Sequence, residues 1–226
     1  MEIQEWMLEA VEYYQRHGFF NEGTASFVLD ELLAVYEARE RRFGHKSATL
    51  DALWSNRELG LLQLDQERVL YLDFETPSVG GSTMYISTIP RLARITRGVF
   101  SAWDVQELAL DDERWGPVLL TFRVGSERHE YEVRGGNSDW IDPQLLWIVD
   151  EFLRVSPYTL HVACDGLQGE QGGYFVALSA DERDLIDTER GLAFVPLPDE
   201  PSAPWTWDVD ALLSKARTPG TQPTAG

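Results

Sequence analysis

Apolar side chains in the first sixty residues recur at three- and four-residue intervals, as in amphipathic helices. One stripe covers residues 3–14, and Gly18 follows it as a helix stop. A second begins after Thr24, a residue type favoured at N-caps. It ends before Gly44 in a turn rich in arginine, which suits the negative end of the helix dipole. A shorter helix is predicted over residues 49–59.

Beyond residue 60 the pattern becomes typical of strands. Residues 69–74 alternate between apolar and polar side chains and predict a strand. Residues 84–98 fit two structures. They could extend a strand, or Pro90 could open a short helix that Gly98 closes.

The most specific local prediction is a hairpin over residues 117–134. A two-residue turn at Gly125-Ser126 pairs Val124 with Glu127. This register brings six mostly apolar side chains onto one face: Val118, Leu120, Phe122, His129, Tyr131 and Val133. Because a slip of one residue would mix the two faces, the register is well determined.

A helix is predicted after the hairpin, with Asp142 as N-cap and Pro143 in its first turn. Two strands follow, at residues 160–164 and 174–178, joined by a glycine-rich loop. Ser179 and the glutamate three residues later form a capping box for another helix. That helix ends at a glycine before a final strand at residues 192–195.

Together these elements predict an α+β fold, in which N-terminal helices precede an antiparallel or mixed sheet with helices packed on one face. We divide the chain into a helical region at 1–60, an α+β sheet domain at 61–198, and a tail at 199–226. The tail is rich in Pro, Thr and Gly, and we expect it to be partly disordered.

Charge narrows the classes of partner. The 226 residues include 38 acidic and 19 basic side chains, a net charge of −19. Such a chain repels phosphate backbones and anionic lipid, so we expect neither nucleic-acid nor membrane binding. Residues 101–199 hold 20 acids and 7 bases, a net of −13, whereas residues 1–100 have a net of only −5. An acidic face would therefore be expected in the sheet domain.

Residue types with catalytic chemistry are scarce. The four histidines show no metal-ligand spacing, and Cys164 and His161 point to opposite faces of one strand. No familiar serine-nucleophile motif occurs. We therefore assign no catalytic residue, no metal site and no cofactor. The lone cysteine, the lack of a long apolar span and the absence of a secretory pattern at Met1 predict a cytoplasmic protein.

The candidate contact residues are acids beside tryptophan. Aromatic side chains surrounded by acids can anchor protein interfaces. On this ground we select Asp111, Asp112, Glu113, Asp139 and Trp140.

Residues 84–195 also resemble small bacterial proteins of the immunity or accessory type found in polymorphic toxin systems. The resemblance rests on the segment Leu119–Gly125, on His129-Glu-Tyr-Glu-Val and on Asp139-Trp-Ile-Asp. It also includes the Gly169-Glu-Gln-Gly loop, the strand at Tyr174 and the capped helix at Ser179. It implies a non-enzymatic protein that binds another protein.

The leading hypothesis is thus a cytoplasmic binding protein of immunity or inhibitor type, which occludes a basic surface of a protein partner through an acidic face. A first alternative is a hydrolase that uses converging carboxylates and His161 or His129. A second is a scaffold component of a larger assembly.

Overall fold

The computed structural model describes residues 3–43, 57–74, 84–110, 117–133, 141–164 and 172–198. The tail at 199–226, the glycine-rich loop at 165–171 and most of the helix predicted at 49–59 lie outside these ranges. The predicted division into domains is not tested and stays a prediction.

Within these ranges the chain forms six helices and seven strands. The helices are α1 (Ile3–Arg16), α2 (Ala25–Phe43), α3 (Arg57–Leu62), α4 (Met84–Ile95), α5 (Gln144–Leu153) and α6 (Ala180–Arg190). The strands are β1 (Val69–Asp73), β2 (Ala102–Ala109), β3 (Val118–Val124), β4 (Glu127–Val133), β5 (Tyr158–Ala163), β6 (Gly172–Ser179) and β7 (Phe194–Pro196). The predicted α+β class is confirmed, with N-terminal helices preceding antiparallel sheets.

Several predicted helix ends are confirmed by their hydrogen bonds. The Thr24 hydroxyl accepts a hydrogen bond from the Phe27 N–H at 3.3 Å, so Thr24 caps α2. Ser179 and Glu182 form the reciprocal capping box of α6. Gly191 ends α6 with a φ of +66°, a conformation that glycine adopts without steric cost.

The ambiguous segment at 84–98 is mainly the helix α4, and Pro90 lies inside it rather than at its start. Tyr85, Ile89 and Leu92 are fully buried along one stripe of the helix. The Glu107 carboxylate accepts a hydrogen bond from the Ile86 N–H at 2.7 Å near the N-terminus of the helix. Burial of the apolar stripe therefore stabilises a helix despite the hydrogen bond that proline removes.

The predicted hairpin register is confirmed in all seven pairs, from Val118 opposite Val133 to Val124 opposite Glu127. A third strand, β2, pairs antiparallel with β3 and makes a three-stranded sheet in the order β2-β3-β4. Its pairing register shifts between Trp103 and Gln106. The sequence analysis did not predict this strand.

The second sheet has the order β1-β6-β5-β7 and is also antiparallel. One face carries Leu70, Phe175 and Val162 into a core shared with α4, α5 and the three-stranded sheet. The opposite face carries Val69 and Val176 into a core shared with α1, α2, α3 and α6. The structure thus differs from the expected single helical layer, because strands apolar on both faces need a cover on each side.

None of the helices in the described ranges is both long enough and apolar enough to cross a membrane.

Candidate functional site

The five predicted contact residues, Asp111, Asp112, Glu113, Asp139 and Trp140, lie outside the described residues. The structure therefore does not test whether they share a face. A different acidic surface is formed within the described ranges, and it comes from the N-terminal half of the chain.

This surface is a groove of about 640 Å³ between the turn after α1, the first turns of α2 and the turn before β1. We call it the acidic groove. Its lining residues are Phe20, Asn21, Glu22, Phe27, Val28, Glu31, Leu32, Leu64, Asp65, Gln66 and Glu67. Its volume lies in the range typical of ligand-binding clefts, roughly 300–1,000 Å³.

An exposed aromatic ring forms part of the apolar wall. Phe27 remains 53% exposed, although most large apolar side chains of the described residues are buried. One side of its ring rests on Gly23, where an added Cβ would stand 2.5 Å from the ring. Gly23 also has a φ of +84°, so both the backbone and the close contact favour glycine there. The ring is thereby held in place while much of its surface faces solvent.

Four carboxylates line the groove, and none of its lining residues is Lys, Arg or His. Glu22 and Glu31 are exposed, and neither forms an ion pair with a side chain that the structure describes. Glu67 lies 3.4 Å from Arg94, but both side chains are about half exposed, and such surface pairs contribute little. The groove therefore presents negative charge beside apolar surface.

Asp65 joins two walls of the groove. Its Oδ2 accepts a hydrogen bond from the Phe20 N–H at 2.6 Å, and its Oδ1 accepts one from the Glu67 N–H at 3.2 Å. Burial raises the pKa of Asp65, while its hydrogen bond from Phe20 acts in the opposite direction. The carboxylate is 6% exposed and acts as an internal brace for the groove.

Phe20 adopts a left-handed backbone conformation, with a φ of +47°, which is uncommon for a bulky residue. Asp65 holds its N–H, and the Gln15 side chain donates a hydrogen bond to its carbonyl oxygen at 2.9 Å. Phe20 is 7% exposed and lines the groove. Two side-chain hydrogen bonds thus fix a conformation that the sequence did not indicate.

Three largely buried arginines among the described residues show a recurring arrangement of an aromatic ring with an oxygen acceptor. The Arg97 guanidinium donates to the Glu182 carboxylate at 2.6 Å and lies 4.5 Å from the centre of the Tyr158 ring. Arg68 lies 4.3 Å from the centre of the Phe19 ring and donates to the Gly18 carbonyl oxygen. Burial, followed by the nearby Arg97 charge, lowers the pKa of Arg68 to about 10.

Arg190 follows the same arrangement and connects three helices. It donates to Glu9 of α1 at 2.8 Å and to Glu58 of α3 at 2.6 Å. Its guanidinium also lies 5.1 Å from the centre of the Tyr13 ring. The Tyr14 hydroxyl donates to the other oxygen of Glu58 at 2.8 Å. These contacts stabilise the packing of the N-terminal helices against α6.

The groups considered for catalysis lie outside the acidic groove, and His129, with 24% of its side chain exposed, lies 4.0 Å from the Glu127 carboxylate. His161 is 1% exposed on β5, and burial lowers its pKa to about 4. His129 packs edge-on against the Phe152 ring, with 4.9 Å between the ring centres. Cys164 is buried. Among the described residues, no group of three or more His, Cys, Asp or Glu side chains is placed to hold a metal ion.

Two local signals in the sequence point to the acidic groove. Phe27 and Glu31 are four residues apart on α2, which places them on the same face of the helix. Gly23 stands just before the N-cap of that helix, and glycine is the residue that permits a positive φ and a close approach to the backbone. Contact with residues 64–67 is a tertiary feature, and no short-range pattern indicates it.

Comparison with protein-family models, with curated proteins and with solved structures gives no match to this chain. Its function is therefore inferred from the geometry and chemistry of the described residues.

Proposed function

We propose that this protein is a non-enzymatic binding protein of immunity or inhibitor type, which occludes a basic surface of a protein partner through acidic residues. The observation that carries the proposal is the acidic groove, where carboxylates and exposed apolar surface occur together without a cation among the lining residues. A basic protein segment offers the complementary charge.

The charge of the whole chain supports the same role. With a net charge of −19, the protein attracts a basic partner over distances up to about a Debye length, roughly 8 Å at physiological salt. Steering of this kind raises the rate of association, while apolar contacts in the groove would slow dissociation. The resemblance to immunity or accessory proteins and the cytoplasmic location are both predictions from the sequence, and both are consistent with this role.

The hydrolase alternative receives no support from the placement of His161 and His129. A general base must come within hydrogen-bond reach of a substrate. His161 is 1% exposed and out of reach, whereas His129 packs on Phe122 and Phe152 with 24% of its side chain exposed. Neither residue lines the acidic groove.

The test uses the purified full chain and the purified products of the genes that neighbour its own. Isothermal titration calorimetry would measure complex formation, and the partner's own activity would be measured with and without the protein. We expect a stoichiometric complex with a basic partner, loss of that partner's activity, and weaker binding as salt is raised.

Absence of a complex with any basic neighbour, or a complex that leaves the partner fully active, would overturn the proposal. Light scattering of the protein alone tests the scaffold alternative, since large self-assemblies would favour it. The binding assay also uses a variant in which all five predicted contact residues are replaced, by D111N, D112N, E113Q, D139N and W140A. Weaker binding by this variant would assign them to the interface.

A further inference from the structure

We propose that the acidic groove is a receptor for an arginine side chain on an apolar, basic segment of the partner, a proposal that rests on the proposed function. The guanidinium would lie on the Phe27 ring and pair with Glu31 and Glu22. Apolar neighbours of that arginine would contact Phe20 and Leu64.

The first argument is the position of Phe27 and Glu31. They are one turn apart on α2, so the ring and the carboxylate are on the same helix face. Both line the acidic groove, together with Glu22 from the preceding turn. The ring is supported from below by Gly23 and is 53% exposed. An aromatic face and a carboxylate at this spacing suit a planar cation that stacks on the ring and donates hydrogen bonds from its edge to the carboxylate.

The second argument comes from the protein's own arginines. The Arg97 guanidinium contacts the Tyr158 ring and donates a hydrogen bond to the Glu182 carboxylate. The Arg190 guanidinium lies beside the Tyr13 ring and donates a hydrogen bond to the Glu58 carboxylate. The acidic groove repeats this combination of ring and carboxylate without an arginine among its lining residues. A partner protein can supply the arginine that this combination lacks.

The third argument distinguishes arginine from other cations. Lysine carries a compact, strongly hydrated charge and cannot form the two parallel hydrogen bonds of a guanidinium. A divalent metal prefers several converging oxygens, and the described residues contain no such group. The groove volume of about 640 Å³ exceeds the need of one side chain, so apolar residues beside the arginine would share it.

The experiment uses the full chain and a short peptide in which leucine alternates with arginine. Matched peptides carry lysine or citrulline in place of arginine, because citrulline has nearly the shape of arginine without its charge. Affinity is measured by fluorescence anisotropy, and amide shifts of the ¹⁵N-labelled protein locate the site. We expect the arginine peptide to bind about tenfold more tightly than the citrulline peptide. The largest shifts should occur at residues 20–32 and 64–67.

Variants assign the contacts. E22Q/E31Q should weaken the arginine peptide by about fivefold or more, since two carboxylates are neutralised. F27L should weaken it by about two- to fivefold and should reduce the preference for arginine over lysine, because the stacking face is lost. D30N is the matched control. Asp30 is an exposed acid of α2 that does not line the groove, and its replacement should leave affinity nearly unchanged. Thermal melts confirm that each variant folds.

Three results would overturn the inference: equal binding of the arginine and citrulline peptides, shifts centred outside the groove, or an effect of D30N as large as that of E22Q/E31Q. Spermine is included as a small cation, and binding in the groove as tight as that of the arginine peptide would also refute a receptor for arginine. Failure here is separable from failure of the proposed function. A basic partner that still binds E22Q/E31Q normally would retain the proposed function and would place its interface elsewhere.

Discussion

Arg190 provides a sharp test of how the N-terminal helices are attached to the sheet. Its side chain is 9% exposed, and that of its partner Glu58 is 12% exposed. Removing one member of a buried ion pair costs about 3–5 kcal/mol, because the remaining charge stays buried without its partner. Glu9, the second partner, is half exposed and contributes less. For R190M we therefore expect the low end, a loss of about 3 kcal/mol in the free energy of unfolding.

In a chain of this length, that loss corresponds to a decrease in Tm of roughly 6–12 °C. Urea unfolding followed by tryptophan fluorescence would be measured for the wild type, R190M, E58Q and the double variant R190M/E58Q. The double variant should be more stable than R190M, because a neutral glutamine replaces the stranded charge of Glu58.

The control is R183M on the same helix. Arg183 pairs with the adjacent Asp184, whose side chain is 67% exposed, and we expect a loss below about 1 kcal/mol. A loss for R190M no larger than that for R183M would refute the reasoning. So would a double variant whose loss equals the sum of the two single losses, since the two residues would then be uncoupled.

Three further changes test other parts of the structure. G23A should cost about 1–3 kcal/mol of stability and displace the Phe27 ring, which thermal melts and arginine-peptide binding would detect. Burial depresses the pKa of His161 to about 4 in the folded state, below the ordinary value of 6.5. Between these pH values the unfolded chain therefore binds more protons than the folded protein. His161 thus contributes about 3 kcal/mol to the free energy of unfolding above pH 6.5, and this contribution is lost as the pH falls toward 4. Urea unfolding across this pH range should show a smaller loss for H161Q than for the wild type. S179A should remove the cap of α6 and lower stability by about 1 kcal/mol, whereas an unchanged midpoint in urea would contradict that role.

The parts of the fold that the sequence predicts are those that depend on nearby residues. The register of β3 and β4 follows from a two-residue turn and the sorting of side chains onto two faces. The capping box at Ser179 requires side chains only three residues apart. In both cases the interacting groups are close in the chain, so their pattern carries the information.

Other features depend on contacts between distant residues. Strand β2 is largely exposed and carries little apolar alternation, so its pairing with β3 leaves a weak pattern. The acidic groove requires Asp65 to reach Phe20 across 45 positions. The acidic excess is largest in residues 101–199, whereas the groove acids belong to residues 1–100, where the net charge is only −5. The net charge of a segment gives its excess of acidic over basic side chains. It does not show which acidic side chains lie close together in the folded protein.

The strand order β1-β6-β5-β7 has a consequence for the newly synthesised chain. Val69 of β1 pairs with Val176 of β6, so the edge strand is made about 100 residues before its neighbour. At a synthesis rate of roughly 5–20 residues per second, β1 waits about 5–20 s for that partner. Helices α1 to α3 share their core with β6 and are made before β1, so their apolar faces wait longer still for that strand. During each round of translation, this interval is when the chain is most open to chaperones and to aggregation.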